Sequence, residues 1–365
     1  MTTSAPVRFG LLRLTDSAPV IVALERGLFR ELGLDVVLSV EPSWANIADK
    51  LAYGLLDAAS LLPPLALAAT LGLRGPPGRL LVPMGLSSGG NTVTLGREAA
   101  HAVLERTEPR DALAAGRRFG EWLRDQPAPP RFAVVHAFST HNLLLRYWLA
   151  ASGIDPDRAI QTVVIPPEQV EQALAQGRIA GFCAGAPWGE LAAQNGSGKV
   201  LLGTSDIWNA HPEKCLAVAA PWAAANPMAV RALLRGLLQA QRLCERTDMT
   251  PWIASLLAQP PLALPRDATL ACLPGGGAKE QARFAPETVA YPWQSHAAWF
   301  LSQMRRWRWL AADNCPEDAA KRIYAPDLLA SAAAEEHLAW PAADRKQLRG
   351  FCDEAILDQD WKAID

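Results

Sequence analysis

The stretch Val7-Arg8-Phe9-Gly10-Leu11-Leu12-Arg13-Leu14-Thr15-Asp16-Ser17-Ala18-Pro19 decides the fold class. Residues 7–14 are mostly apolar and β-prone. Thr15-Asp16-Ser17 then supplies helix-start side chains, and Pro19 suits the first turn of a helix, where the missing N–H leaves no bond unmade. An amphipathic run continues to residue 32 and Gly33 ends it. A strand that hands over directly to a helix is the first half of a βαβ unit.

The same alternation spreads outward. Residues 35–40 read as a strand, Ser43 as the cap of a helix over 44–53, and Gly54 as its stop. The apolar run 54–73 contains Asp57 and Pro63-Pro64, which would break a membrane span in its middle. It reads instead as a buried strand (58–62) and a helix (64–71) ended by Gly72. Strands follow at 80–86 and 92–95, implying a largely parallel sheet with helices on both faces. A second unit then begins: 97–124 is charged and helical, strands fall at 132–136, 160–165, 179–184, 199–202 and 215–219, and helices at 140–152 and 167–176. From 221 the chain turns helical, with Val230, Leu233, Leu234, Leu237, Gln241 and Cys244 on one face. Residues 250–279, rich in proline and glycine, read as an irregular connection around a short helix. Trp293, Ala297, Phe300, Met304 and Trp307 form a stripe that reads as core against the first sheet rather than as a ligand box, and Arg305-Arg306-Trp307-Arg308 as a solvated basic face. Two α/β units joined by two crossings predict an α/β, two-lobed, periplasmic-binding-protein-like (type II) clamshell with an inter-lobe ligand cleft. Residues 1–95 plus 220–365 form one lobe and 96–219 the other.

Composition narrows the function. With 365 residues, half of them hydrophobic, each lobe can bury a core; a net charge of −2 argues against direct nucleic-acid binding. No two of the six cysteines stand at Cys-x-x-Cys spacing, and the six histidines are dispersed, so no metal site is expected and the cysteines read as buried thiols. No nucleophile elbow, P-loop, dinucleotide fingerprint or zincin motif occurs, and Gly275-Gly276-Gly277 lacks the Lys-Ser/Thr of a phosphate loop. The chain is therefore expected to be no enzyme and to hold no cofactor.

What remains are polar residues where strands end and helices begin, the rim on which ligands sit in open α/β sheets. Trp44 starts a helix, His141 lies in the first turn of another, and Lys214 precedes a strand. Gly89-Gly90-Asn91 and Gly185 offer close backbone approach. Singly these read as a packing tryptophan, a capping histidine and a solvated lysine. Together they form a donor set with one fixed positive charge and no carboxylate, which suits a small anion that only accepts hydrogen bonds.

Long ordered segments carry a resemblance. They are Leu14-Thr15-Asp16-Ser17-Ala18-Pro19, Ser43-Trp44-Ala45-Asn46-Ile47, Ser139-Thr140-His141-Asn142, Gly185 with Pro187-Trp188, and His211-Pro212-Glu213-Lys214. In these the chain resembles the nitrate/bicarbonate-binding protein family, of NrtA and CmpA type. The resemblance implies that Trp44, Asn91 (a shorter amide than the family's), His141, Gly185 and Lys214 hold the anion. Bicarbonate-holding relatives use an acidic environment and calcium, and the family's Gly-Glu-Pro-Trp reads Gly185-Ala186-Pro187-Trp188 here, so the resemblance implies nitrate or nitrite without a metal. Residues 1–7 contain no basic segment leading into an apolar run, so no export leader is expected. On that ground the chain is similar to the cytoplasmic, NasS-type sensor branch. Such a sensor sequesters an RNA-binding antiterminator of NasT type and releases it on binding the anion, with no membrane partner. The alternative is the receptor of an ABC importer whose export signal lies outside this sequence.

Overall fold

A computed structural model describes residues 5–74, 77–104, 111–311, 316–343, 346, 348–350 and 355–356. Its strands are β1 (Val7–Leu11), β2 (Val36–Val40), β3 (Ala58–Leu61), β4 (Leu80–Gly89), β5 (Asn91–Gly96), β6 (Arg131–Val134), β7 (Gln161–Val164), β8 (Gly181–Gly185), β9 (Gly198–Gly203), β10 (Pro212–Ala219) and β11 (Ala282–Arg283). They build two sheets, ordered β11-β4-β10-β3-β1-β2 and β7-β6-β8-β5-β9, and two further two-residue strands, Arg349–Gly350 and Ala355–Ile356, pair with each other apart from these. The apolar runs read as strands account for the cores: Phe9, Leu11, Ala58, Leu61 and Leu216 are fully enclosed in the first sheet, and Phe132, Val134 and Phe182 in the second.

The sheets are mixed rather than largely parallel. β1 runs parallel to β2 and β3, but β10 runs antiparallel to β3 and β4. In the second sheet β6 is parallel to β7 and β8, while β5 is antiparallel to β8 and β9. The reason is the crossing. β4 leaves the first sheet through Gly89 and Gly90, both at positive φ (64° and 81°), with no helix to bring the chain back parallel. β10 re-enters beside the point where β4 left, with the Gly89 N–H donating to the His211 carbonyl at 3.2 Å, so it runs the opposite way.

This also moves the sheet boundaries from the expected lobe limits. β5, expected in the lobe 1–95, lies in the second sheet, and β10, expected in 96–219, lies in the first. The chain crosses at the tight Gly-Gly turn and at the turn before Pro212, whereas sequence texture changes only after the following strand.

Local differences have plain causes. The run to residue 32 is two helices, Ala18–Glu25 and Leu28–Glu31, because Gly27 takes φ 71° between them. The charged run 97–124 contains the helices Arg97–Leu104 and Ala112–Arg124, and its part 105–110 lies outside the described residues. The helix Gln294–Arg306 encloses Ala297, Phe300 and Met304 of the stripe, while Trp293 and Trp307 at its two ends are half-buried. It packs mainly on the helices Pro63–Thr70, Pro316–Ile323 and Thr140–Ala151 rather than on the first sheet. Just past it, the rings of Trp307 and Trp309 lie 4.3 and 5.2 Å from the Arg146 guanidinium of the other lobe. Cys183, Cys215, Cys244 and Cys272 are buried and free; Cys315 and Cys352 lie outside the described residues. No described helix is long and apolar enough to cross a membrane.

Candidate anion site

The five residues expected at the ligand come from both lobes. Trp44 opens the helix Trp44–Ala52, whose cap Ser43 accepts the Asn46 N–H at 3.2 Å through Oγ. Its indole is buried and Nε1 has no hydrogen-bond partner. His141 stands in the first turn of the helix Thr140–Ala151, whose cap Ser139 accepts the Asn142 N–H at 3.2 Å. Asn91 starts β5, and Gly185 ends β8 directly opposite it.

The histidine tautomer follows from its neighbours. The Val135 backbone N–H points at His141 Nε2 at 3.4 Å, and a backbone N–H only donates. Ser139 Oγ, 3.0 Å from the same nitrogen and 2.8 Å from the His136 carbonyl oxygen, has one proton to give between the two. Nε2 therefore accepts, which assigns the proton of the neutral ring to Nδ1. Nδ1 has no hydrogen-bond partner; the nearest carboxylate oxygen, Glu213 Oε1, is 3.7 Å away. Burial holds the imidazole below its usual pKa despite that neighbour. His141 is thus a neutral ring with a free N–H donor.

Lys214 is neither in a loop nor solvated. It lies in β10, 1% exposed, and its Nζ meets Glu213 Oε1 at 2.6 Å and Asp16 Oδ2 at 2.8 Å. The ammonium also lies 5.3 Å from the centre of the Trp44 ring. The expectation of a site without carboxylates is therefore corrected: two buried carboxylates flank the lysine. A β-bulge is the reason. Neighbouring strand residues ordinarily point to opposite faces, but the pairing of β10 with β4 slips on both sides of Lys214. The slip turns Glu213 and Lys214 toward one another. Asp16 arrives from the turn after β1, where only its distance along the chain hid it.

Glu213 ties the lobes together. Its Oε2 accepts from Asn91 Nδ2 at 2.6 Å, which leaves Asn91 Oδ1 unpaired and facing Gly185. A β-carbon on Gly185 would sit 3.3 Å from that oxygen and 3.8 Å from Asp16 Oδ2, so the glycine keeps this space clear. Thr15 N–H donates to the Ala186 carbonyl at 3.1 Å, and Arg13 pairs with Glu168 at 2.9 Å, so the cleft is closed along this edge.

The charges sort themselves. For Glu213, burial works toward the neutral form, but Lys214 and the two histidines outweigh it and pull the pKa to about 2. For Lys214, burial opposes the charge, and Asp16 and Glu213 overcome that and hold the pKa above its usual value. Asp16 goes the other way: burial raises its pKa although Lys214 opposes it. Burial brings His211 down to about 4, and its Nε2 lies 2.7 Å from Thr204 Oγ1. No described group of His, Cys, Asp and Glu has the arrangement of a metal site.

Two enclosed N–H donors (Trp44 Nε1 and His141 Nδ1), a paired ammonium and two free acceptor atoms (Asn91 Oδ1 and Asp16 Oδ1) thus converge at the junction of two sheets. That arrangement has the donors and acceptors to suit a small polar molecule. A family model described as the NMT1-like family matches residues 2–258. The chain belongs to the NMT1-like family. Within it, the chain is 31% identical over 377 residues to the nitrate/nitrite binding protein NrtA of Synechococcus elongatus, covering 96% of this chain and 83% of that protein. It is 35% identical over 347 residues to the nitrate import ATP-binding protein NrtC of a Synechocystis species, covering 91% of this chain and 50% of that protein, so it spans half of that relative's length. Among solved structures, the periplasmic nitrate-binding protein NrtA from Synechocystis PCC 6803 superposes with a TM-score of 0.88 at 25% identity, over 98% of this chain and 97% of that one. The aliphatic sulphonate binding protein SsuA of Escherichia coli shares the fold alone, with a TM-score of 0.60 at 15% identity, over 88% and 98%. This NMT1-like chain has the two-lobed clamshell fold, and its family is one of solute-binding proteins of the NrtA and CmpA type, not of enzymes.

Proposed function

We propose that the chain binds nitrate or nitrite between its lobes, at Trp44, Asn91, His141, Gly185 and Lys214. The observation that carries this reading is the pair of buried N–H groups without partners, Trp44 Nε1 and His141 Nδ1, beside the only ammonium at the junction among the described residues. Such donors lose hydrogen bonding on burial unless a ligand accepts from them. The names of the similar proteins, nitrate/nitrite binding and nitrate import, support the choice of anion. Bicarbonate is the competing ligand, because Asp16 Oδ1 and Asn91 Oδ1 offer acceptors for its O–H. Calorimetric titration with nitrate, nitrite and bicarbonate, with and without calcium, tests the reading. Saturable nitrate or nitrite binding is expected; binding of bicarbonate alone, or only with calcium, would overturn it.

For the role of that binding, we read the chain as a cytoplasmic sensor that holds a NasT-type antiterminator and releases it when the anion closes the clamshell. The motifs belong to the family as a whole and suit either role; the sensor is the reading in which anion-driven closure of the two lobes releases a partner. A second reading, the receptor of an ABC importer, is favoured by the import proteins among its relatives. Co-purification separates them: the sensor loses a bound antiterminator on addition of nitrate, whereas the receptor captures a permease complex.

A further inference from the structure

We propose that the site takes up one proton with each anion it binds, and that Asp16 Oδ1 carries it. The inference rests on the reading of the site as an anion site. It starts from counting charge around Lys214. The ammonium is held at 2.8 Å by Asp16 and at 2.6 Å by Glu213, all three side chains enclosed. With both carboxylates ionised the cluster already carries one net negative charge. The other titratable groups around it are His141 from the opposite lobe, His211 on the turn before β10, and the thiols of Cys183 and Cys215; burial keeps the rings and the thiols neutral, so none adds charge. Trp44 and Gly185, the remaining walls, bear none. A monoanion entering here would bring a third negative charge to a single ammonium in a site shielded from water, where like charges repel strongly.

One carboxylate must therefore be neutralised, and the geometry selects which. Glu213 is engaged at both oxygens, by Lys214 at Oε1 and by Asn91 Nδ2 at Oε2, so protonating it would cost two charge-assisted bonds. Asp16 is engaged only at Oδ2; Oδ1 is buried with no partner. A proton on Oδ1 leaves the Lys214 bond in place and converts a repelling oxygen into a third donor, beside Trp44 Nε1 and His141 Nδ1. The opposite pKa displacements of the two acids agree: Glu213 is held low and Asp16 is pushed up by burial. The proton comes from solvent, and no other bond forms or breaks.

The test is calorimetry of nitrate binding to the intact chain, in buffers of differing ionisation enthalpy, between about pH 6 and pH 9. Expected is an uptake that approaches one proton per nitrate above the pKa of Asp16 in the empty protein, with the dissociation constant rising about tenfold per pH unit there. The Asp16→Asn variant, checked for folding by circular dichroism, should bind with no proton uptake and no pH dependence. Tight binding by the native chain with no uptake at any pH would overturn the proposal while leaving the anion reading intact; uptake that persists in Asp16→Asn would overturn the assignment to Asp16. If Asp16→Asn does not fold, Glu213→Gln tests the charge count instead: it removes one negative charge from the cluster, so proton uptake should fall well below one per nitrate, and uptake that stays at one per nitrate would overturn the proposal. Absence of anion binding by the native chain would overturn the functional reading itself.

Discussion

Lys214 is a buried charge held by two buried partners, and its removal acts first on stability. Replacing it by alanine leaves Asp16 and Glu213 enclosed without a counter-ion, a change of about 3–5 kcal/mol for a broken buried pair. Urea unfolding of Lys214→Ala at neutral pH should show that loss. In the native chain Glu213 has a pKa of about 2 against 4.5 for the ordinary group, so its stabilisation is complete above about 4.5 and is lost as pH falls toward 2. In the variant, burial without the ammonium favours the protonated acid, so acid relieves the strain. The gap between the two proteins should therefore narrow on acidification. Gly185 is the opposite case, a residue whose substitution leaves the fold intact. The added methyl of Gly185→Ala would stand 3.3 Å from Asn91 Oδ1 and face the site. Unfolding should shift by less than about 1 kcal/mol, and nitrate affinity should fall by about tenfold or more.

At the scale of one element, the start of the helix Thr140–Ala151 does two jobs. Ser139 caps it by accepting the Asn142 N–H, and the same oxygen sits 3.0 Å from His141 Nε2. Ser139→Ala should cost about 1 kcal/mol in thermal or urea unfolding, the usual worth of a cap. It should also weaken anion binding, since the ring loses one of two neighbours that fix its orientation. Ser139→Thr keeps the oxygen and should restore both. Part of this was legible in the chain: a helix over 140–152 follows a strand, with His141 in its first turn. The direction of the His141 ring was not, because the Val135 N–H that decides it belongs to the residue after a different element, β6.

For the whole molecule, the two chain crossings meet at Glu280. Its Oε1 accepts the Gly90 N–H of the first crossing and the Ser205 hydroxyl of the second, each at 2.8 Å. Burial raises the Glu280 pKa to about 7 from 4.5. A carboxyl raised in the folded state contributes stability that is present below about 4.5 and disappears as pH rises through 7. The shift corresponds to about 3 kcal/mol. Urea unfolding followed across that window should show the native chain losing stability and Glu280→Gln losing far less, because the amide oxygen still accepts both bonds without a charge. A β-carbon at Gly203 would fall 2.1 Å from Glu280 Oε2, so Gly203→Ala should disturb the same junction. Nothing in the sequence around Glu280 announced this role; Gly-Gly-Gly-Ala-Lys-Glu reads as a loop, and the crossings it grips lie far from it along the chain.

The sequence by itself determined the alternation of strands and helices, the cap at Ser43, and the motifs carrying Trp44, Asn91, His141, Gly185 and Lys214. These depend on local periodicity, on side chains within a few residues of one another, and on short ordered runs. Only the tertiary structure decided the direction of β10, the sheet to which β5 belongs and the charge of the site. β10 runs antiparallel because it re-enters beside the exit of β4. Glu213 reaches Lys214 because pairing with β4 forces a bulge, and Asp16 reaches it across the one intervening strand, β3. Register and proximity between distant segments are set by packing. Packing turned a solitary lysine into the centre of a cluster with two acids.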